Sequence, residues 1–456
     1  MLNQISLVHR IFFLLLLTII FFMCPYAYVV TYSTGLGLFF LLILIILIFI
    51  FLKIPYFDII LIFSYVMYQN IILSIFSETK NLTIALGTNV LIIFVLALKK
   101  FGNCYHAIEK KEKKNLFIFF IICIIYTLIG CCKNGVVMSI IYARLFTIPI
   151  ILLFLGRYSN FKINNCVNIF ILCSSIMIFA GFIQIFFPSS FIKISNYLNY
   201  YHLTEKVLFD SPEKLINTKS KILFNTNLFT NTIRQFRIFS TTLNIIGYGY
   251  LTSLLCLFFH KKKNFILFIL NVILLFFIGS KGPVLVLSFT LITQFVNKFT
   301  NKNSVLFFLV FYTSLLFYLG IKEGNNHVLG FLFGITNLIN NPLGLGFGFG
   351  GNMTFSLLNS GDKRELLTGS ESAFGVLFTQ TGLSSFVIVF IYIKSIVFSN
   401  KDKMSMLTIY ALFNFVNGIF QEEAFSIYSL GITLFFLGVE QSKGGLYEVK
   451  KSKNEI

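Results

Sequence analysis

The sequence predicts an all-α polytopic integral membrane protein with about 14 transmembrane helices, the defensible range being 12–14. Three observations predict it. Of its 456 residues 57% are hydrophobic and 12% charged, about half the charged share of a soluble domain and too little to cover a water-facing surface. The apolar residues come in continuous runs of about the 20 that a helix needs to cross a hydrocarbon core of about 30 Å. They do not alternate with period two, so helices are expected and a barrel is not. Finally, Lys and Arg, 36 against 17 Asp and Glu for a net charge of +19, cluster in alternate connections between the runs. This composition excludes a disordered chain, a secreted disulfide scaffold, a cytosolic enzyme and a nucleic-acid-binding protein.

The run 9–30 is too long, and too poor in small residues at its end, for a cleaved signal peptide, and reads as an anchor. Runs follow at 35–52, 55–77, 82–98, 116–132, 136–155 and 165–187, then at 241–259, 265–279, 282–297 and 304–320, and last at 372–396, 404–420 and 424–439. Counting loops alternately puts every basic cluster on one side. The clusters are Lys99, Lys100, Lys110, Lys111, Lys113 and Lys114; Arg157 and Lys162; Lys261, Lys262 and Lys263; Lys298 and Lys302; Lys394, Lys401 and Lys403; and Lys443, Lys450, Lys451 and Lys453. By the positive-inside rule that side, with both termini, is cytoplasmic. Residues 1–456 thus read as a single membrane domain. The eight Cys show no CxxC and no metal-ligand spacing with His, so packing is their expected role and no metal is expected. Nothing in the sequence asks for a cofactor.

Two long segments, 188–240 and 321–371, fall on the expected outer side. Segments this long in a compact protein are functional or disordered. Both mix aromatic and aliphatic residues and are expected to fold over the outer face. ATP and NAD(P)H are cytosolic, so chemistry there must use a substrate that arrives activated and membrane-bound.

Candidate residues follow from charge and depth. Arg144 lies about 12 Å inside its run, where a charge meets either a partner within the bundle or a ligand. No acid stands at a similar depth in any run, which favours an anionic ligand. Arg234 and Arg237 would share one face if the helix at 241 starts early, and could then grip a phosphate; they also sit in a loop already basic with Lys193, Lys206, Lys214, Lys219 and Lys221. Lys281 in Gly279-Ser-Lys-Gly282 precedes Pro283, a helix-starting residue, and is either an anion ligand or a snorkelling Lys. The glycines of Gly346-Phe-Gly348-Phe-Gly350-Gly351 match GxGxxG without strand–turn–helix context, so a dinucleotide site is rejected. They permit close backbone approach to a ligand or a helix. Glu371, at the start of a helix, is either a cap or the best-placed general base. Other outer acids are Glu205, Asp210, Glu213, Glu323, Asp362, Glu365, Glu422 and Glu423, and His202 and His327 are alternative bases.

These pieces, in order, resemble a family. Arg144-Leu-Phe-Thr-Ile-Pro149, Arg237-Ile-Phe-Ser240, Gly279-Ser-Lys-Gly282, Asn341-Pro-Leu-Gly-Leu-Gly-Phe-Gly348 and Ser370-Glu-Ser-Ala-Phe-Gly375…Gln380-Thr-Gly382 are similar to the bacterial O-antigen and capsular polysaccharide polymerases of the Wzy class, relatives of the O-antigen ligases. The likeness spans roughly residues 136–396. It implies a membrane glycosyltransferase of the bacterial cytoplasmic (inner) membrane that joins undecaprenyl-pyrophosphate-linked oligosaccharide units at the outer face. It implies neither nucleotide nor metal, and it implies a flippase and a chain-length regulator as working partners. Glu371 and Arg237 would then be catalytic, Arg144, Arg234, Arg237 and Lys281 would bind pyrophosphate, and Gly346, Gly348 and Gly350 would lie near the substrate. Related ligases often carry His-Asn where this chain has Glu371-Ser372, and many have Arg where it has Lys281. The competing readings are a lipid-linked oligosaccharide flippase, an ion-coupled transporter and an O-antigen ligase. A flippase should spread charge through many spans and a transporter should carry intramembrane acids; neither pattern is present.

Overall fold

The computed structural model describes residues 14–15, 18–23, 54, 56–75, 92–99, 108, 110–159, 161–205, 211–222, 234–297, 303–322, 325–352, 371–397 and 404–442. The run 35–52, most of 9–30 and 82–98, the basic tail and the acids Asp210, Glu323, Asp362 and Glu365 lie outside them. The regular structure of the described residues is helical apart from two three-residue strands, Ser220–Ile222 and Arg234–Phe236, paired antiparallel with Ile222 opposite Arg234. Six helical stretches are long and apolar enough to cross a membrane: Phe57–Ile75, Glu112–Lys133, Val136–Arg157, Ile163–Phe186, Asn303–Lys322 and Glu422–Gln441. Phe265–Ile278, Lys281–Val296, Ser384–Ile396 and Met406–Asn417 are apolar but shorter. The protein is therefore membrane-embedded in character, while the described helices do not reach a count of 14.

The contacts divide the chain into two compact units, one of residues 1–96 and 163–281, the other of 97–162 and 282–456. In the first, Phe57–Ile75 packs on Ile163–Phe186, and Ile245–Lys261 packs on Phe265–Ile278. Asn244 and Asn264 cap the latter two helices by accepting from the N–H of Gly247 and Leu267, which satisfies donors that a helix start leaves orphaned. Among the described residues of segment 188–240, helices Pro188–Ile194, Tyr197–Glu205 and Pro212–Lys219 bury Ile192, Tyr197, Tyr200 and Leu215 with Phe239 and Leu243 in one apolar cluster.

In the second unit, Val136–Arg157 packs on Ile432–Gln441, where Gly156 and Gly438 let the two backbones touch. Small residues at such crossings supply the van der Waals contact that holds helices together in lipid. The run 372–396 is not one helix. It breaks at Gly382 (φ +53°) into Ala373–Thr381 and Ser384–Ile396. Segment 321–371 contains a 15-residue helix, Asn326–Asn340, lying against Ala373–Thr381.

One basic cluster differs from its expected role. Arg157 is buried and paired with Glu112. The Tyr158 hydroxyl also donates to Glu112, and Arg157 donates to Gln441 Oε1 and to the Ser395 carbonyl at 2.9 Å. This clamp ties the ends of four helices. A residue counted as a loop charge orienting the chain is a structural ion pair, because the helix runs two residues past its apolar run and carries Arg157 under its neighbours.

Candidate functional site

In the first unit the chain from Arg237 to Leu243 is built like a rigid strap. Ser240 and Leu243 sit at φ +51° and +49°, conformations that non-glycine residues rarely adopt. Gln184, fully buried on Ile163–Phe186, holds them there: its Oε1 accepts the backbone N–H of Phe239 at 3.0 Å and of Ser240 at 2.9 Å. Ser240 Oγ donates to the Met177 carbonyl at 2.5 Å, and Asn70 Nδ2 donates to the Thr242 carbonyl at 2.6 Å. Strain of this kind persists only where surrounding bonds over-determine it.

The strap lays Arg237 on the end of Phe265–Ile278. Its Nε donates to the Ile278 carbonyl at 3.0 Å, and Ile238 N–H donates to the Phe277 carbonyl at 3.4 Å. Gly279 ends that helix in the left-handed conformation (φ +61°) and lies under the Arg237 side chain, 3.6 Å from its Cγ and Nε to where a Cβ would stand. Two pieces far apart in sequence, Arg237-Ile-Phe-Ser240 and Gly279-Ser-Lys281, are thus joined. Lys281 begins the next helix and is exposed. The early helix start that would put Arg234 and Arg237 on one face is not formed. Residues Arg234–Phe236 are a strand and the next α-helix begins at Ile245, so the two arginines do not share a helix face. Nearby, Glu213 at the head of Pro212–Lys219 has its carboxyl held below the usual range, chiefly by its own backbone N–H, with Ser211, Ser189 and Lys193 adding to it.

In the second unit, Glu371 and His327 meet. Glu371 precedes Ser372, which caps Ala373–Thr381 by accepting from Gly375 N–H. His327 lies in the first turn of Asn326–Asn340. The two helices run side by side in the same direction, Gly334 and Gly375 allowing their backbones to touch and Asn337 Nδ2 reaching Thr379 Oγ1 at 3.3 Å. This brings His327 Nδ1 within 2.9 Å of Glu371 Oε2, each side chain more than a third exposed. The two groups are in close contact, but the imidazole nitrogen is off the line of a directional hydrogen bond. Arg144 is half-buried on Val136–Arg157 and engages a partner within the structure, which corrects the inference that it lacks one.

The glycine run is used for approach to protein. A Cβ at Gly346 would stand 2.7 Å from the Gly130 nitrogen, and one at Gly348 2.8 Å from the Met138 carbonyl carbon; both residues, with Gly344, Gly350 and Gly351, have positive φ. Sequence reasoning missed the amides that hold this loop. Asn134 Nδ2 donates to the carbonyls of Leu345, Gly346 and Phe347 at 3.0–3.3 Å, and Gln380 Nε2 donates to Phe349 at 3.0 Å. Buried Glu422 accepts Asn352 N–H at 2.8 Å. The available signal was an amide within or beside an apolar run, and Gln184 and Asn70 carry the same signal.

No protein-family model, no curated protein and no solved structure matches this chain. Among the described residues no three His, Cys, Asp or Glu side chains gather as a metal-binding group.

Proposed function

We propose that the chain is a membrane glycosyltransferase that polymerises undecaprenyl-pyrophosphate-linked oligosaccharide units into O-antigen or capsular polysaccharide at the outer face of the bacterial cytoplasmic membrane. The observation that carries this reading is the seat of Arg237 on the Gly279-Ser-Lys281 turn. A rigid strap holding a guanidinium beside a helix end, two residues from a lysine, suits a leaving group that departs as a pyrophosphate. The half-exposed Glu371, partnered by His327, suits the second requirement, a base for the acceptor hydroxyl. In the proposed reaction Glu371 takes the hydroxyl proton while the hydroxyl oxygen bonds to the anomeric carbon. The bond from that carbon to the lipid pyrophosphate breaks; within the first unit Arg237, Arg234 and Lys281 are the candidates for the released charge, and within the second Arg144 is a further candidate. Gly346, Gly348 and Gly350 shape the protein near the substrate through the loop they form.

The test is complementation of a strain lacking the gene. Wild type should give a polymer ladder. Glu371→Gln should lower polymer by about 100-fold or more, the scale of a lost general base, and Arg237→Ala should abolish the ladder, with single lipid-linked units accumulating on the outer leaflet in both. Units accumulating on the cytoplasmic leaflet would establish a flippase instead. Normal polymer that fails only to reach its final acceptor would establish a ligase.

A further inference from the structure

Segment 321–371 would be an aqueous loop if its position between two apolar runs were the only guide. Its contacts within the second unit describe something else. Asn326–Asn340 leads into the glycine loop, and the tip between them is bonded to the interior of a membrane-spanning helix. The Tyr126 hydroxyl donates to the Leu343 carbonyl at 2.9 Å and lies 3.2 Å from Ser384 Oγ. Leu383 N–H donates to the Pro342 carbonyl at 2.8 Å. Tyr126 is seven residues short of the end of Lys110–Lys133, about 10 Å inside it at 1.5 Å per residue. That end is the one opposite the Arg157 clamp.

At this depth the two largest apolar side chains face outward, with Asn340 exposed between them. Leu343 is 83% exposed and Ile339 74%. Ile339 forms one stripe on its helix with Leu329, Leu332 and Thr336, also exposed, at spacings of three and four, and Leu343 follows just past the helix end. Apolar residues of the flanking segments, Ile124, Leu128, Leu383 and Phe386, are exposed as well. The loop that returns from the tip has the property that membrane depth demands. Irregular backbone is tolerated there only where protein satisfies it. Here Leu345 N–H donates to Thr379, Gly346 N–H to Gln380 and Phe347 N–H to Tyr126, while the carbonyls from Leu345 to Phe347 and that of Phe349 accept from Asn134, Ser139 and Gln380.

We infer that residues 326–352 form a re-entrant hairpin whose tip, Ile339 to Leu343, lies in the lipid hydrocarbon, with acyl chains covering its exposed stripe. The hairpin enters and leaves on the side opposite the Arg157 clamp, so it adds no crossing. This holds whatever reaction the protein performs.

The experiment places a photo-crosslinking p-benzoylphenylalanine at Leu343 or at Asn326, an exposed position at the helix start, in the full-length protein in native membranes. Leu343 tolerates the probe because it already faces outward. Phospholipid acyl adducts by mass at 343 and not at 326 are expected. In parallel, Leu343→Cys should react at least about tenfold more slowly than Asn326→Cys with a membrane-impermeant maleimide, above the wild-type background from exposed Cys132. Equal rates at the two positions would overturn the inference. So would cross-linking of residue 343 to another protein in place of lipid.

Discussion

Two acid–base pairs in the same unit teach opposite lessons. Arg157–Glu112 and His327–Glu371 each join two helices near their ends. The first is shut: its side chains are 4% and 9% exposed, and Tyr158, Gln441 and the Ser395 carbonyl bond to it as well. The second is open: its side chains are 36% and 38% exposed, and its imidazole is not aligned. A buried charge pair is costly to break because the survivor is left desolvated. A half-exposed pair contributes little to stability and leaves its carboxylate partly open to solvent. Saturation, more than the presence of charge, separates a structural pair from one fit for chemistry.

The comparison can be broken most severely at the clamp. Arg157→Ala should cost about 3–5 kcal/mol of stability, the scale for stranding a buried partner, read from unfolding in detergent. The paired replacement Arg157→Met with Glu112→Leu should recover most of it. A single variant as stable as wild type would show that the clamp holds nothing.

A smaller effect is expected at the loop that supports the open end. Gly346→Ala forces a side chain into the left-handed region, about 1–2 kcal/mol, and drives its Cβ against the Gly130 backbone. Gly135→Ala, at φ +97° with no atom within 4 Å, carries a conformational cost alone. The excess of the first over the second measures the packing of the loop, and equal losses would mean that the loop is loosely held.

The smallest stability effect belongs to His327→Gln, which should change stability by under about 1 kcal/mol while lowering polymer formation. A stability loss as large as that of Arg157→Ala would erase the distinction between the two pairs.

Particular residues show how far the sequence could be read. Arg237, Lys281 and Glu371 were recognisable from charge beside a helix start or a glycine turn. The partners were not. Nothing local in Asn326–Asn340 says that His327 faces Glu371, because that meeting depends on the helix packing along Ala373–Thr381 through Gly334 and Gly375. Gln184 was visible only as an amide in a greasy run, and its task of holding the strap at φ +51° exists only once the strap folds back on it. Arg157 was misread because it occupies the same kind of helix end as the solvated lysines, and burial alone tells them apart.

The sequence by itself determined that this is a chain of apolar helices with a basic, membrane-oriented charge pattern. Hydropathy is summed along one run and needs no neighbour to be counted. Only the tertiary structure decided which charges are spent on holding helices, which pair stays open, and that a nominal loop turns back at the depth of Tyr126. Each of these depends on a contact between residues far apart in the chain, and no window of sequence contains both partners.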